Sequence, residues 1–267
     1  MSHLFAIVTN DTRLFALTQQ LAEPMFRSVE ALKVGSLGLG YHSGGHILLQ
    51  KRPIRAEFSC REVLKDIRTN RLICHIQDQP TGPFNSDNTQ PFRYKDWLFA
   101  MSGTLGGGGL IRDRALAIIP DYLRRNINGD LPPELVFHLF LTYLYIEAPL
   151  SSMQNDPEKL RRALSRTLQI LPDLAEERGQ IGFSVLLSNG EYLLGGAHRR
   201  PMVFRTLRGA DQRTPEGARF VSYPWMRTFL VSNTIPDGED GLWTQLADEH
   251  LLVCDGHFET TSHMLLI

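Results

Sequence analysis

The run Ser2-His3-Leu4-Phe5-Ala6-Ile7-Val8 constrains this chain more than any other stretch. Chain termini usually fray because few contacts hold them. An alternating apolar run that starts directly behind a small second residue predicts instead a strand that carries the amino-terminal end into the fold. If Met1 is removed, as a small second residue generally permits, Ser2 presents a hydroxyl and its own α-amine, a nucleophile and a base on one residue. The plainer reading is an edge strand with a dispensable Ser.

The rest of the chain decides how much that terminus must organise. Its 267 residues suffice for one large domain or two small ones. With 28 Lys plus Arg against 29 Asp plus Glu, the formal charge of -1 supplies no field for nucleic acid or an acidic membrane surface. No run approaches the roughly 18 apolar residues of a spanning helix, and no basic flank precedes an apolar signal core. Cys60, Cys74 and Cys254 have no metal-like spacing, and an odd count suits a reducing compartment. A cytoplasmic protein without a cofactor is expected.

Along the chain, Asp11-Thr12 is expected to cap a helix that Pro24 stops, and Gly35 to Tyr41 leads into a hairpin strand at His46 to Pro53. The glycines there lack the Lys-Ser/Thr ending of a phosphate loop. A short helix at 61–69, a strand at 72–76, a polar loop at 77–94 and a strand at 97–101 follow. The four glycines at 106–109 predict a flexible loop. Helices are predicted at 116–126, at 134–146 and after Asp156-Pro157-Glu158, the last closed by Pro172. Period-two runs then recur at 183–187, 192–194, 202–204, 220–222, 229–231 and 251–254, with Asn189-Gly190 marking a hairpin. Strands, helices and strands again predict antiparallel sheets with segregated helices, α+β in class, in one domain spanning 1–267.

These pieces in this order resemble the class-II glutamine amidotransferases among the N-terminal nucleophile hydrolases, particularly compact stand-alone forms. The resemblance rests on Ser2-His3-Leu4-Phe5, Gly38-Leu39-Gly40-Tyr41, Arg52-Pro53-Ile54-Arg55-Ala56, His75-Ile76-Gln77, Asn88-Thr89-Gln90-Pro91-Phe92, Trp97-Leu98-Phe99-Ala100 with Gly103, and Leu187-Ser188-Asn189-Gly190. It implies a four-layer αββα sandwich of two antiparallel sheets. It also implies a nucleophile at residue 2, an oxyanion site at Ser102 and Gly103, and substrate contacts at Gln77, Asn88, Thr89 and Asp130.

At those positions this chain departs from the family. Members begin Met-Cys, whereas here Ser2 lacks the thiolate population and intrinsic nucleophilicity of Cys. The family's His-Asn-Gly becomes Met101-Ser102-Gly103, and loss of one oxyanion donor typically costs about 2.7–4 kcal/mol. The carboxylate-gripping His-x-Arg-x-x-Thr becomes His75-Ile76-Gln77-Asp78-Gln79-Pro80, without the bidentate guanidinium. The Asp that holds the α-ammonium is met by Pro132, with Asp130 nearby, and Asn-Thr-His-Pro-Phe becomes Asn88-Thr89-Gln90-Pro91-Phe92. The expected function is therefore a pseudoenzyme that acts by binding, as a scaffold or regulatory subunit with a protein partner or as a homo-oligomer. The alternative is an active Ser2 amidohydrolase on a glutamine-like or γ-glutamyl amide, with Ser2 as nucleophile, its α-amine as base and the Gly103 N–H as oxyanion donor. A metal or nucleotide module would have to be built on the pair His42 and His46, on His257 and His263, or on the glycine runs.

Overall fold

The computed structural model describes residues 2–30, 35–54, 59–78, 83–106, 108–147, 156–175, 181–208, 223–236 and 241–265. In chain order the strands are β1 (Ser2–Thr9), β2 (Gly35–Ser43), β3 (His46–Ile54), β4 (Arg71–Asp78), β5 (Phe92–Tyr94), β6 (Trp97–Thr104), β7 (Gly182–Ser188), β8 (Leu193–His198), β9 (Val203–Arg208), β10 (Arg227–Ser232), β11 (Thr244–Gln245), β12 (His250–Cys254) and β13 (Thr260–Met264). The helices are α1 (Phe15–Leu21), α2 (Glu23–Glu30), α3 (Cys60–Leu64), α4 (Gly108–Ile118), α5 (Asp121–Arg124), α6 (Pro132–Glu147) and α7 (Pro157–Leu174). A single 3-10 turn at Thr12–Leu14 precedes α1 and is capped by Asp11.

The strands form two antiparallel sheets. One runs β11-β9-β10-β1-β4-β2-β3, and the other runs β13-β12-β8-β7-β6-β5. β1 is therefore central, paired with β10 on one side and β4 on the other, and not the edge strand of the plainer sequence reading. Alternation along each strand sorts its side chains between two cores. Leu4, Ala6, Val8, Ile73, Phe229 and Val231 meet Leu98, Ala100, Leu186 and Leu252 between the sheets. Phe5, Ile7, Leu37, Leu39, Leu72 and Cys74 face outward, together with Phe15, Leu21, Met25, Phe26 and Leu64 of the first three helices. Phe99, Phe183, Val185 and Leu187 pack with residues of α4 to α7 on the other outside. The result is the αββα sandwich implied by the resemblance.

Local sequence explains several boundaries. Asp156 Oδ1 accepts from the N–H groups of Glu158 and Lys159, Pro157 opens α7, and Leu160, Leu164, Leu168 and Leu171 form its buried stripe. Pro172 falls within the last turn, and the helix ends two residues later. The helix expected at 116–126 is divided, because Pro120 is extended (ψ 154°) and separates α4 from α5. Pro24 lies inside α2, and Gly108 and Gly109 open α4, where a loop was expected. The expected strand at 220–222 lies outside the described residues. The short edge strands β11 and β13 carry polar, largely exposed side chains and escaped the period-two reading.

The glycines of β2 serve the approach of the two sheets. A Cβ on Gly38 would lie 1.7 Å from the Gln90 carbonyl oxygen, and one on Gly40 2.6 Å from Leu98 Cδ2. The segment that looked like a hairpin approach is thus a full strand whose inner face carries no side chain at Gly38 and Gly40. All three cysteines are free and buried, and burial pushes the Cys254 thiol up to about 12. Among the described residues no helix is long and apolar enough to cross a membrane.

Candidate functional site

Strand alternation and register assemble the site. Ser2 shares the inner face of β1 with Leu4 and Ala6, and Ser102 shares the inner face of β6 with Leu98 and Ala100, so the two serines meet between the sheets. Their hydroxyl oxygens are 2.7 Å apart. The Ser102 hydroxyl also donates to the Ser2 carbonyl at 3.0 Å. Gln77 stands beside Ser2 in the β1–β4 ladder, half-buried.

Asn233 closes this arrangement from the far side of β1. Its Oδ1 accepts from the Leu4 N–H at 2.8 Å, while its own N–H donates to the Leu4 carbonyl at 2.9 Å. Its Nδ2 donates to the Ser2 carbonyl and to Ser102 Oγ, both at 3.0 Å. The side chain thereby extends the ladder of β10 past the last residue of that strand. Both amide protons are spent on this chain's own oxygens. Either serine can donate across the 2.7 Å contact, and the side chain that the Ser2 hydroxyl meets is a neutral hydroxyl.

Gly103 has φ +130°, a conformation that strains any residue with a Cβ, and such a Cβ would lie 2.1 Å from the Gly182 carbonyl oxygen. The strand that carries Ser102 and Gly103 is held by Gln90. The Met101 N–H donates to Gln90 Oε1 at 2.7 Å, and Gln90 Nε2 donates to the Met101 carbonyl at 2.8 Å. The same Nε2 lies 3.3 Å from His75 Nε2, which accepts when the ring proton is on Nδ1.

Asn88, Thr89 and Asp130 form a separate cluster turned toward loop backbone. Asn88 Oδ1 accepts from the Asp130 N–H at 2.8 Å, and Thr89 Oγ1 donates to the Asn85 carbonyl at 2.7 Å. The Asp130 side chain is 87% exposed, and its carboxylate lies 4.0 Å from Arg112. Glu134 ties down the adjoining turn by accepting from the N–H groups of Asn128 and Gly129. Cavities of about 810 Å³ and about 540 Å³ open elsewhere. The first lies among His42, Arg68, Asp96 and Gly190 at the opposite strand ends, and the second lies beside Trp225 and His257. Among the described residues no group of three or more His, Cys, Asp or Glu could hold a metal ion.

Burial drives the His75 imidazole down to about 3, with His3 nearby adding to the effect. Below pH 6.5 the unfolded chain therefore binds a proton that native His75 refuses. Stability is full above that pH and falls as the solution is acidified, by up to about 1.4 kcal/mol per unit until pH approaches 3. His42, lowered to about 4 by burial, acts in the same direction. Urea unfolding of His75→Gln at pH 7, 6, 5 and 4 is expected to show a shallower pH slope than the parent. Equal slopes would exclude His75 as a source of acid sensitivity.

The structure brings the sequence-named Ser2 and Ser102 together, and it adds Asn233, which lies two residues past the period-two run at 229–231 and carried no signal in the sequence. The sequence marks Gln90 as a departure from a pattern and not as a bridge between the loop and the oxyanion strand.

Comparison with known proteins gives a match to the model of "Glutamine amidotransferases class-II" over residues 1–213. Among solved structures, a glutamine aminotransferase class-II domain protein from Silicibacter pomeroyi superposes with a TM-score of 0.63 at 15% identity, covering 99% of this chain and 100% of the other. A predicted glutamine amidotransferase from Pseudomonas aeruginosa PA01 superposes with a TM-score of 0.59 at 16% identity, covering 98% and 96%. The glutamine phosphoribosylpyrophosphate amidotransferase of B. subtilis gives 0.60 at 13% identity, covering 99% of this chain but 49% of that enzyme. No curated protein matches the chain significantly.

Proposed function

The chain belongs to the class-II glutamine amidotransferase family, and from that premise we propose that it no longer hydrolyses glutamine and acts through binding, as a scaffold or regulatory subunit beside a protein partner. The observation that carries this reading is the closed circuit of Ser2, Ser102 and Asn233. A working nucleophile needs its proton directed at a base, and an oxyanion needs donors aimed at empty space where substrate charge will develop. Here the Ser2 hydroxyl is paired with the Ser102 hydroxyl, and the Asn233 amide protons are already engaged. The absence of an Arg at Gln77 and the outward Asp130 support the same conclusion for recognition of an amino acid substrate.

The test is a glutaminase and γ-glutamyl amidohydrolase assay on protein of known amino-terminal mass, with Ser2→Ala and Ser2→Cys beside the parent. No turnover above buffer is expected in any of the three, including Ser2→Cys with Met1 removed. Turnover in the parent that Ser2→Ala abolishes would overturn the proposal and establish Ser2 as a nucleophile.

A further inference from the structure

We infer that the free edge of β3 is a docking strand for an extended acidic segment of a partner protein, which adds to the seven-stranded sheet as an eighth strand. The inference deepens the binding role proposed above and draws its biological relevance from that reading, but its geometry does not depend on what Ser2 does.

The orientation of the edge follows from the hairpin. β2 and β3 are joined by the two residues Gly44 and Gly45, both at positive φ (+58° and +78°), which makes Ser43 and His46 the hydrogen-bonded pair that closes the turn. Hydrogen-bonded and non-hydrogen-bonded pairs alternate from there. His46, Leu48, Gln50, Arg52 and Ile54 thus turn their backbone groups toward β2, and Ile47, Leu49, Lys51 and Pro53 turn theirs outward. Two independent features agree with this parity. The Ile47 carbonyl accepts from Arg93 Nη1 at 2.9 Å, and Pro53, which has no N–H to donate, falls at an outward position.

Arg93 covers one end of the edge and Pro53 blunts the other. Between them, among the described residues, the outward N–H and C=O groups of Leu49 and Lys51 have no backbone partner, enough for four ladder bonds to an added strand. β3 ends the sheet order, and Leu48 and Leu49 are 44% and 36% exposed. A nine-residue edge strand with two apolar side chains open to water is the surface that strand addition uses.

Charge selects the occupant. Arg52 and Arg93 are exposed, and among the described residues neither has a carboxylate within ion-pair distance. A second copy pairing edge to edge would bring this basic rim against itself, which costs free energy. A strand with Glu or Asp on the face it shares with Arg52 and small apolar residues on the face it shares with Leu49 would meet both kinds of group.

The experiment uses the full chain and a fluorescein-labelled heptapeptide of alternating Glu and Val, followed by anisotropy at low and moderate salt. Saturable binding is expected, weakened at least tenfold by Leu49→Pro and by Arg52→Glu, and reduced as salt rises. Leu49→Pro removes only an outward N–H and leaves the β2–β3 ladder bonds in place. A probe with N-methylated backbone amides is expected not to bind the unaltered chain, which tests the ladder without any protein variant. Equal binding of a Lys and Val heptapeptide, of the N-methylated probe, or of Leu49→Pro would overturn the inference. So would a concentration-dependent dimer in light scattering that Leu49→Pro dissolves, because the edge would then be covered by a second copy. The amidohydrolase assay judges the loss of catalysis separately, so failure of one reading is distinguishable from failure of the other.

Discussion

Gly38→Ala is expected to destabilise the protein by about 3 kcal/mol or more, at the upper end of what overpacking a core does. The added Cβ would stand 1.7 Å from the Gln90 carbonyl oxygen, 2.7 Å from its carbon and 3.0 Å from Pro91 Cδ. The first two are backbone atoms, and Gln90 also holds Met101 through two hydrogen bonds, so relief would require moving the loop together with the strand of Ser102. Two companion substitutions separate this cause from a general intolerance of side chains. Gly40→Ala meets the end of the Leu98 side chain at 2.6 Å, which can rotate, so about 1–2 kcal/mol is expected. Gly44→Ala meets nothing within 4 Å and carries only the strain of φ +58°, about 1 kcal/mol. Urea unfolding midpoints should therefore fall in the order Gly44→Ala, Gly40→Ala, Gly38→Ala. A Gly38→Ala variant within about 0.5 kcal/mol of the parent would mean that the sheets approach less closely than described.

Asn233→Ala is expected to cost about 3 kcal/mol and to loosen the amino-terminal strand selectively. The substitution leaves the buried Leu4 N–H without its acceptor and removes both donors from the Ser2 carbonyl and Ser102. A buried donor left unpaired costs about 1–3 kcal/mol by itself, and the lost donors add to that. The backbone bond from the Asn233 N–H to the Leu4 carbonyl survives, so β1 stays in place from Phe5 onward. Hydrogen exchange is the discriminating measurement. The Leu4 amide should lose most of its protection while the amides of Phe5 and Ile7, paired with β4, keep theirs. Unchanged protection at Leu4 would show that Asn233 does not hold the amino-terminal strand.

Both predictions concern contacts between residues far apart in sequence, which marks the boundary of what the chain disclosed on its own. Period-two alternation located β1, β4, β6, β7 and β10, since one face of each had to be apolar to reach a core. Asp156-Pro157 located the start of α7 for local reasons, a cap and a fixed φ. The same local rules placed Ser2 on a strand but left Gln77 in a loop and Ser102 beyond the end of one, whereas β4 runs on to Asp78 and β6 to Thr104 because each keeps its ladder partners there. They also showed that the residues the family uses for chemistry are replaced here, because identity at a position is a property of the sequence alone.

Tertiary structure decided what the replacements do. That β1 is central and not an edge depends on pairing with β4 and β10, whose register is fixed by partners 63 and more residues away. The role of Asn233 requires β10 to lie beside β1, and its sequence neighbours Ser232 and Thr234 give no hint of that. Asn88 and Thr89 sit in a recognisable motif, yet Asn88 Oδ1 is taken by the Asp130 N–H and Thr89 Oγ1 by the Asn85 carbonyl, a matter of three-dimensional hydrogen-bond accounting. Gly38 is legible only as part of a glycine-rich approach to a hairpin, and the packing of a second sheet at backbone contact is what makes a strand glycine obligatory there. Local propensity and residue identity are set along the chain. Which polar groups satisfy one another is set by the fold, because a buried donor takes whichever acceptor the packing of the sheets brings within about 3 Å.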